Sequence, residues 1–381
     1  MKLSIITNSI PAYRKELFHI LSKKYDLSIY LSEHGTQNRN WSNEEIENAE
    51  VYIVKMFSIN FLGMTFFWPK SLPDLKDSDC LILSDSIQMI VASLFLVLSP
   101  SLKNIPIVLW SSYFGNKFHR ESESIIKRFI TICYENAIKV IARKSNAIIC
   151  YSEAAKLFLL DDISADKKIY VGTQTTHNKM PINGDPNKAR NKYNVSASET
   201  IVVICSYLTF RKGVDKAIEV IDHLGQIQHT GYQILIAGTG VYQEKIEEIS
   251  KGKTNIKFLG YLQNEDLSDV LACGDIFVDL TRYDPGGWTV FEAALNKLAV
   301  ITTQNNANGL SFISHGISGH LIANIDDTSN IALVIHDLIN NFNKRQSYGE
   351  NLYQTISNLP IEFAVQNFER AINTAVTEKR Q

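Results

Sequence analysis

Residues 282–302, RYDPGGWTVFEAALNKLAVIT, say most about the fold class of this 381-residue chain. Asp284 and Glu292 stand eight positions apart, with Gly286 and Gly287 between them. Helical spacing begins near Trp288, and the closing run LAVIT reads as a buried strand. Glycines lack the Cβ that would hold an anion away from backbone amides. A helix opening at Trp288 adds free N–H groups and a partial positive charge. Such a turn can hold a phosphate while its two carboxylates grip sugar hydroxyls. A plain tight turn with a carboxylate on the helix surface is the alternative.

Upstream of this stretch, strands and helices alternate. TIVVICS (200–206), QILIAG (233–238), IKFLG (256–260), DIFVDL (275–280) and LAVITT (298–303) read as strands. Helical patterns cover 212–224, 242–250, 264–273 and 288–296. The first half repeats the scheme, with strands at 2–7, 26–31, 79–84, 106–110 and 147–150 and helices at 13–24, 86–98 and 120–143. Residues 40–78 are less regular and leave room for extra strands. Alternation of this kind specifies parallel sheets covered by helices on both faces. The fold class expected is therefore α/β, with two doubly wound Rossmann-like domains facing a central cleft. The polar segment NKMPINGDPNKARNKYNVSASET (178–200) marks the boundary. The expected domains are 1–178 and 200–358, joined by a linker at 179–199. A last helix, 359–376, carries an apolar stripe of Phe363, Val365, Phe368 and Ile372 that returns to the first domain.

Composition narrows the function. A net charge of −2 argues against a nucleic-acid binder that works through phosphate contacts. Five cysteines without metal-type spacing read as buried thiols of a reducing compartment. The opening MKLSIIT is too short an apolar run for a signal peptide, and 86–102 is too short and too polar for a membrane span. A cytoplasmic protein is expected. KMFSINFLGMTFFWPKSL (55–72) and the basic helical stretch 117–145 could dock on anionic lipid, although core packing and a solvated face explain each alone.

Two more loops follow strand ends. SYLTFRKGVDKAIEVI (206–221) places Arg211 and Lys212 where a helix begins, against its dipole, and cations there can clamp a pyrophosphate leaving group. AGTGVYQ (237–243) offers Gly238 and Gly240, an incomplete dinucleotide fingerprint. The nine histidines form no HExxH motif, and there is no GxSxG elbow. No metal and no cofactor are expected.

These features together resemble the retaining glycosyltransferases of the two-domain GT-B fold, the large family (often numbered family 4) that includes glycogen synthases and bacterial mannosyl- and glucosyltransferases. Their two acids eight positions apart match Asp284 and Glu292. The resemblance implies that Asp284 contacts the donor sugar and Glu292 the ribose. It implies that amides around Gly286, Gly287, Trp288 and Thr289 hold phosphate or sugar, and that Lys212 and Arg211 stabilise the leaving phosphate. Tyr207, Gly238, Gly240, Tyr261 and Leu262 would complete the nucleotide site. In ITNSIPAYRKELFHIL and VLWSSYFGNKFHRES, the residues Pro11, Tyr13, Ser111, Ser112, His119 and Arg120 would face the acceptor.

The implied activity is transfer from a UDP- or GDP-sugar to a glycan or lipid-linked glycan, in polysaccharide or cell-envelope synthesis at the inner face of the plasma membrane. Three departures stand out: Asp284 for the family's Glu, Gly286 for Phe, and Ser206-Tyr207 for a Gly-Arg pair. A catalytically weak partner protein, a nucleotide-sugar epimerase and a dehydrogenase are the rival readings.

Overall fold

The computed structural model describes residues 1–33, 45–61, 64–115, 125–162, 168–172 and 182–380. The chain forms two compact units, Met1–Thr176 with Pro360–Gln381, and His177–Leu359.

In the first unit the strands are β1 (Lys2–Thr7), β2 (Asp26–Ser32), β3 (Ala49–Val54), β4 (Met56–Phe61), β5 (Met64–Pro69), β6 (Cys80–Ser84), β7 (Ile107–Ser111), β8 (Ala147–Cys150) and β9 (Ile169–Val171). Seven of them make one sheet in the order β3-β2-β1-β6-β7-β8-β9, parallel throughout. Strands such as LILS and IVLW are buried on both faces, which is why they read as unbroken apolar runs. The irregular 40–78 region supplies β3 and an antiparallel hairpin, β4–β5. Trp110 anchors the core, packing edge-on against Phe18, Tyr151 and Phe368.

Phe368 belongs to the helix Ile361–Arg380, whose Ala364, Val365, Phe368 and Ile372 are buried in this unit. Phe363, expected on the same stripe, is exposed, because the buried face runs through Ile361 and Ala364 instead. The helix expected at 86–98 begins at Ile90, after a turn in which the Met89 amide bonds the Ser86 carbonyl.

The second unit holds β10 (Thr200–Cys205), β11 (Tyr232–Ala237), β12 (Ile256–Gly260), β13 (Ile276–Asp279), β14 (Ala299–Thr303) and β15 (His320–Ile322). Their order is β12-β11-β10-β13-β14-β15, again parallel. The stretch expected as a linker contains the helix Pro186–Lys192, capped by Asp185 and led by proline at its first position. Lys188 and Lys192 pair with Asp269 and Asp266 of the helix Asn264–Cys273, so this segment packs as part of the second unit. Of the five free thiols, Cys133 is exposed rather than buried.

Each sheet reverses its winding once, between β1 and β6 in the first unit and between β10 and β13 in the second. Crevices open at the carboxyl ends of strands at such reversals, and ligands of doubly wound sheets bind there.

Candidate functional site

At the second reversal, the loop after β10 and the loop after β13 are locked together by their backbones. The Arg282 amide bonds the Arg211 carbonyl at 2.9 Å, and the Thr281 hydroxyl reaches the same oxygen at 3.2 Å. Gly213 has φ +66°, and a Cβ there would stand 1.8 Å from the Leu280 carbonyl. Only glycine allows this approach. Arg282 grips Asp215 with both guanidinium nitrogens at 2.6 Å and lies over the Phe210 ring. The result is a rigid seat for Lys212, which is 8% exposed.

Lys212 Nζ bonds Asp284 Oδ2 at 2.5 Å. The other oxygen of Asp284 accepts the amides of Gly286 and Gly287 at 3.1 and 2.9 Å. The amides expected to face a phosphate therefore hold the chain's own carboxylate. Asp284 is short enough to fold back into the nest that its turn creates. Burial alone would raise its carboxyl, but Lys212 and Arg211 win and hold it well below the usual carboxylate range. Burial would likewise lower the Lys212 ammonium, and the charges of Asp279 and Asp284 raise it instead. Arg211 donates to the Tyr283 carbonyl at 2.6 Å, bracing the turn from its other side.

Glu292 lies in the helix Trp288–Leu295. Its half-buried carboxyl has no hydrogen bond or ion pair among the described residues. Burial pushes it up to about 7, against the opposing charge of Lys212. The Thr289 hydroxyl is buried and also lacks a partner among the described residues. Trp288 opens this helix and stacks obliquely on Phe291. Tyr207 and its neighbours run against the 238–240 loop. A Cβ at Gly238 would meet the Ser206 carbonyl at 1.9 Å, and one at Gly240 the Leu208 carbonyl at 2.4 Å. Both glycines thus let two loops touch. Tyr261 is exposed and Leu262 packs on the core beneath it.

Asp279 and Asn306 went unnoticed in the sequence. Asp279 ends β13, is 4% exposed, and accepts from Asn306 Nδ2 at 2.8 Å. Asn306, fully buried, caps the helix Ala307–Phe312 through Gly309 N, and its side chain abuts Gly287. The signal was an acid closing the otherwise apolar strand IFVD.

At the first reversal the chemistry differs. Asp85, directly after β6 and 1% exposed, accepts from the Ser111 hydroxyl at 2.6 Å, the Ser112 hydroxyl at 2.9 Å and the Ser112 amide. Tyr134 donates to its carbonyl. Burial raises this carboxyl above its ordinary value while the serines pull it down. Pro11 caps the helix Ala12–Lys24, which starts one residue before Tyr13. Arg14 of that helix turns inward to Thr7 and Tyr151, at 2.9 Å each, under the Trp110 ring. The sequence reading named Pro11, Tyr13, Ser111 and Ser112 at this edge but missed Asp85 and Arg14. His119 and Arg120 lie outside the described residues. No group of three or more His, Cys, Asp or Glu able to hold a metal occurs among the described residues.

Residues 185–355 match the profile of the family described as glycosyl transferases group 1. A GDP-mannose-dependent phosphatidylinositol monomannoside mannosyltransferase of Corynebacterium glutamicum is 29% identical over 136 residues, 35% of this chain. The gpi3 component of phosphatidylinositol N-acetylglucosaminyltransferase from Schizosaccharomyces pombe is 27% identical over 176 residues, 45% of this chain. The matches span 34% and 37% of the lengths of these two relatives. Among solved structures, sucrose-phosphate synthase from Thermosynechococcus elongatus superposes with a TM-score of 0.76 at 14% identity, covering 99% of this chain and all of that one. Anabaena HepE in complex with UDP gives 0.73 at 15% identity, covering 98% of this chain and all of that one.

Proposed function

We propose that the chain, whose residues 185–355 match the glycosyl transferases group 1 and whose fold is GT-B, transfers a hexose, with retention, from a nucleotide-diphosphate sugar to a hydroxyl of a glycan or lipid-linked glycan. The observation that carries the reading is the Lys212–Asp284 pair at the β10/β13 reversal, with the unpartnered Glu292 nearby. A ligand offering a diphosphate and two sets of hydroxyls matches that set of groups. Lys212 and Arg211 supply positive charge as the leaving β-phosphate becomes more negative. Asp284 orients the donor sugar, and Glu292 accepts from the ribose hydroxyls.

In the proposed step the bond from the sugar C1 to the β-phosphate oxygen breaks. The acceptor oxygen bonds to C1 on the same face, and its proton passes to the departing phosphate. Such a reaction needs neither a strong protein base nor a metal. UDP and GDP are the favoured donors, since a UDP complex and a GDP-mannose enzyme stand among the similar proteins.

A lipid-linked acceptor is supported by two matched relatives whose names specify phosphatidylinositol substrates. Peripheral docking on an anionic membrane agrees with it. Phe57, Ile59 and Trp68 of the β4–β5 hairpin are more than half exposed, beside exposed Lys55 and Lys70. Ile125 and Phe129 are exposed on the helix Ile125–Lys144, which also carries Arg143 and Lys144. No helix among the described residues is long and apolar enough to cross a membrane.

A panel of UDP-, GDP- and ADP-sugars, scored by calorimetry and by slow donor hydrolysis, tests the reading. Binding of at least one is expected, and failure of all of them would remove it. The second reading, a catalytically weak partner protein, draws on the saturated hydrogen bonding of Asp284. Turnover of any donor by the purified chain excludes it.

A further inference from the structure

Besides Glu292, Lys212 has two aspartates in its field, and the site as described uses only one of them. Asp284 bonds it directly. Asp279 acts on it by charge, from the end of β13. Leu280, the next residue after Asp279, touches Gly213, the next residue after Lys212. Val203 pairs with Phe277, which sets Asp279 level with Cys205, where the Lys212 loop departs from the sheet. The two carboxylates are not equivalent. Asp284 lies on a turn and is bound by groups of its own loop. Asp279 belongs to a central strand and is anchored by Oδ2 to Asn306, itself fully buried. Its Oδ1 is buried with no hydrogen-bond partner among the described residues. A carboxylate oxygen left unsatisfied in the interior is costly, and it is tolerated where a nearby cation compensates it.

We propose that Asp279 is a positioning residue, the fixed counter-charge that keeps Lys212 in place and charged when Asp284 turns away from it toward a bound sugar. The proposal rests on the glycosyltransferase reading of the site and deepens it. Asp284 cannot both hold Lys212 and serve a donor. Once Asp284 leaves, Lys212 would otherwise be a buried ammonium facing Arg211, the incoming phosphate and a Glu292 carboxyl that burial pushes toward its neutral form. Asp279 cannot follow the ligand, because Asn306 ties it to the helix Ala307–Phe312. Field effects agree with this arrangement: besides burial, the charge of Asp279 is the largest single influence on the Lys212 ammonium, and Asp284 acts on it through both charge and a hydrogen bond.

The two possible roles of Asp279 predict effects of opposite sign. If it were only a negative charge near a phosphate site, neutralising it would leave diphosphate affinity unchanged or improved. If it positions Lys212, neutralising it lets Lys212 collapse onto Asp284, and affinity falls.

The test is titration of the full chain with UDP, GDP and inorganic pyrophosphate by calorimetry, for wild type, D279N, K212A and the double variant. We expect D279N to weaken binding of the nucleoside diphosphate at least fivefold. In the K212A background the same change should alter binding by less than twofold. Unchanged or tighter binding in D279N, or a loss that persists without Lys212, overturns the inference and leaves the glycosyltransferase reading standing. A wild type that binds none of the three and no sugar of the donor panel overturns that reading, and the inference with it. If D279N does not melt cooperatively, N306S replaces it. That variant keeps a capping oxygen but frees Asp279 from its anchor, and it should show the same loss of affinity.

Discussion

The two units share a winding scheme, and each places a buried aspartate at the end of the strand that begins the second half of its sheet. Asp85 follows β6 and Asp279 closes β13. Their surroundings differ in kind. Asp85 accepts from two serine hydroxyls and an amide, and the buried Arg14 guanidinium acts on it through charge. Asp279 stands with Asp284, Lys212 and Arg211, a cluster of nearly balanced charge with an unsatisfied oxygen. A hydrogen-bond-saturated carboxylate makes a scaffold, whereas a charged cluster with an unsatisfied oxygen makes a site that a charged ligand can rearrange.

The sharpest way to break the contrast is to remove the cation. K212A should reduce sugar transfer more than tenfold in a product assay. It should also cost about 3–5 kcal/mol in chemical denaturation, because it strands a buried carboxylate. D284N should match the loss of transfer with a smaller loss of stability. Normal turnover in both variants would mean that the charged cluster is not the reaction site.

The mirror-image change in the first unit is D85N. It should destabilise by about 1–3 kcal/mol, the cost of mismatched buried hydrogen bonds, yet leave UDP and GDP affinity within twofold. A marked loss of nucleotide affinity in D85N would erase the distinction between the two units.

Glu292 gives a pH test. Its folded carboxyl is pushed up to about 7, while an unfolded glutamate ionises near 4.3. Below pH about 4 both forms are protonated and the group contributes nothing. Between there and about pH 7 only the unfolded chain ionises, so stability falls as pH rises. E292Q should flatten that fall, seen by comparing denaturation midpoints at pH 5 and pH 8, and it should weaken nucleotide binding. The smallest effect belongs to S112A, about 1 kcal/mol of stability with no change in donor affinity.

The fold was legible in the sequence because parallel strands buried on both faces announce themselves as apolar runs. β1, β8 and β12 occupy the residues read from them. The short edge strands β9 and β15 did not stand out, since three residues at a sheet edge carry no distinguishing pattern. The 179–199 segment misled through its polarity, although Asp185-Pro186 is a capping signature within it.

At the site, Lys212, Asp284 and Glu292 were visible through spacing. Their mutual bonding was not. No pattern of letters tells that an aspartate, one methylene shorter than glutamate, folds back on Gly286 and Gly287. Asp279 and Asn306 escaped notice for a related reason. Their meaning comes from a contact across 27 residues that exists only once β13 and the loop after β14 are side by side.

The helix Ile361–Arg380 carries a consequence for how the protein is made. It follows the second unit in the chain, yet it fills the core of the first, with Phe368 against Trp110 and beside Gly172. On the ribosome the first sheet must therefore wait, with an apolar face uncovered, through some 180 residues of the second unit. The second unit is continuous in sequence and is free to finish first, against the usual N-to-C order of domain folding. Nascent chains stopped short of residue 360 should expose that face to chaperones, and emergence of the helix Ile361–Arg380 is the event that closes it.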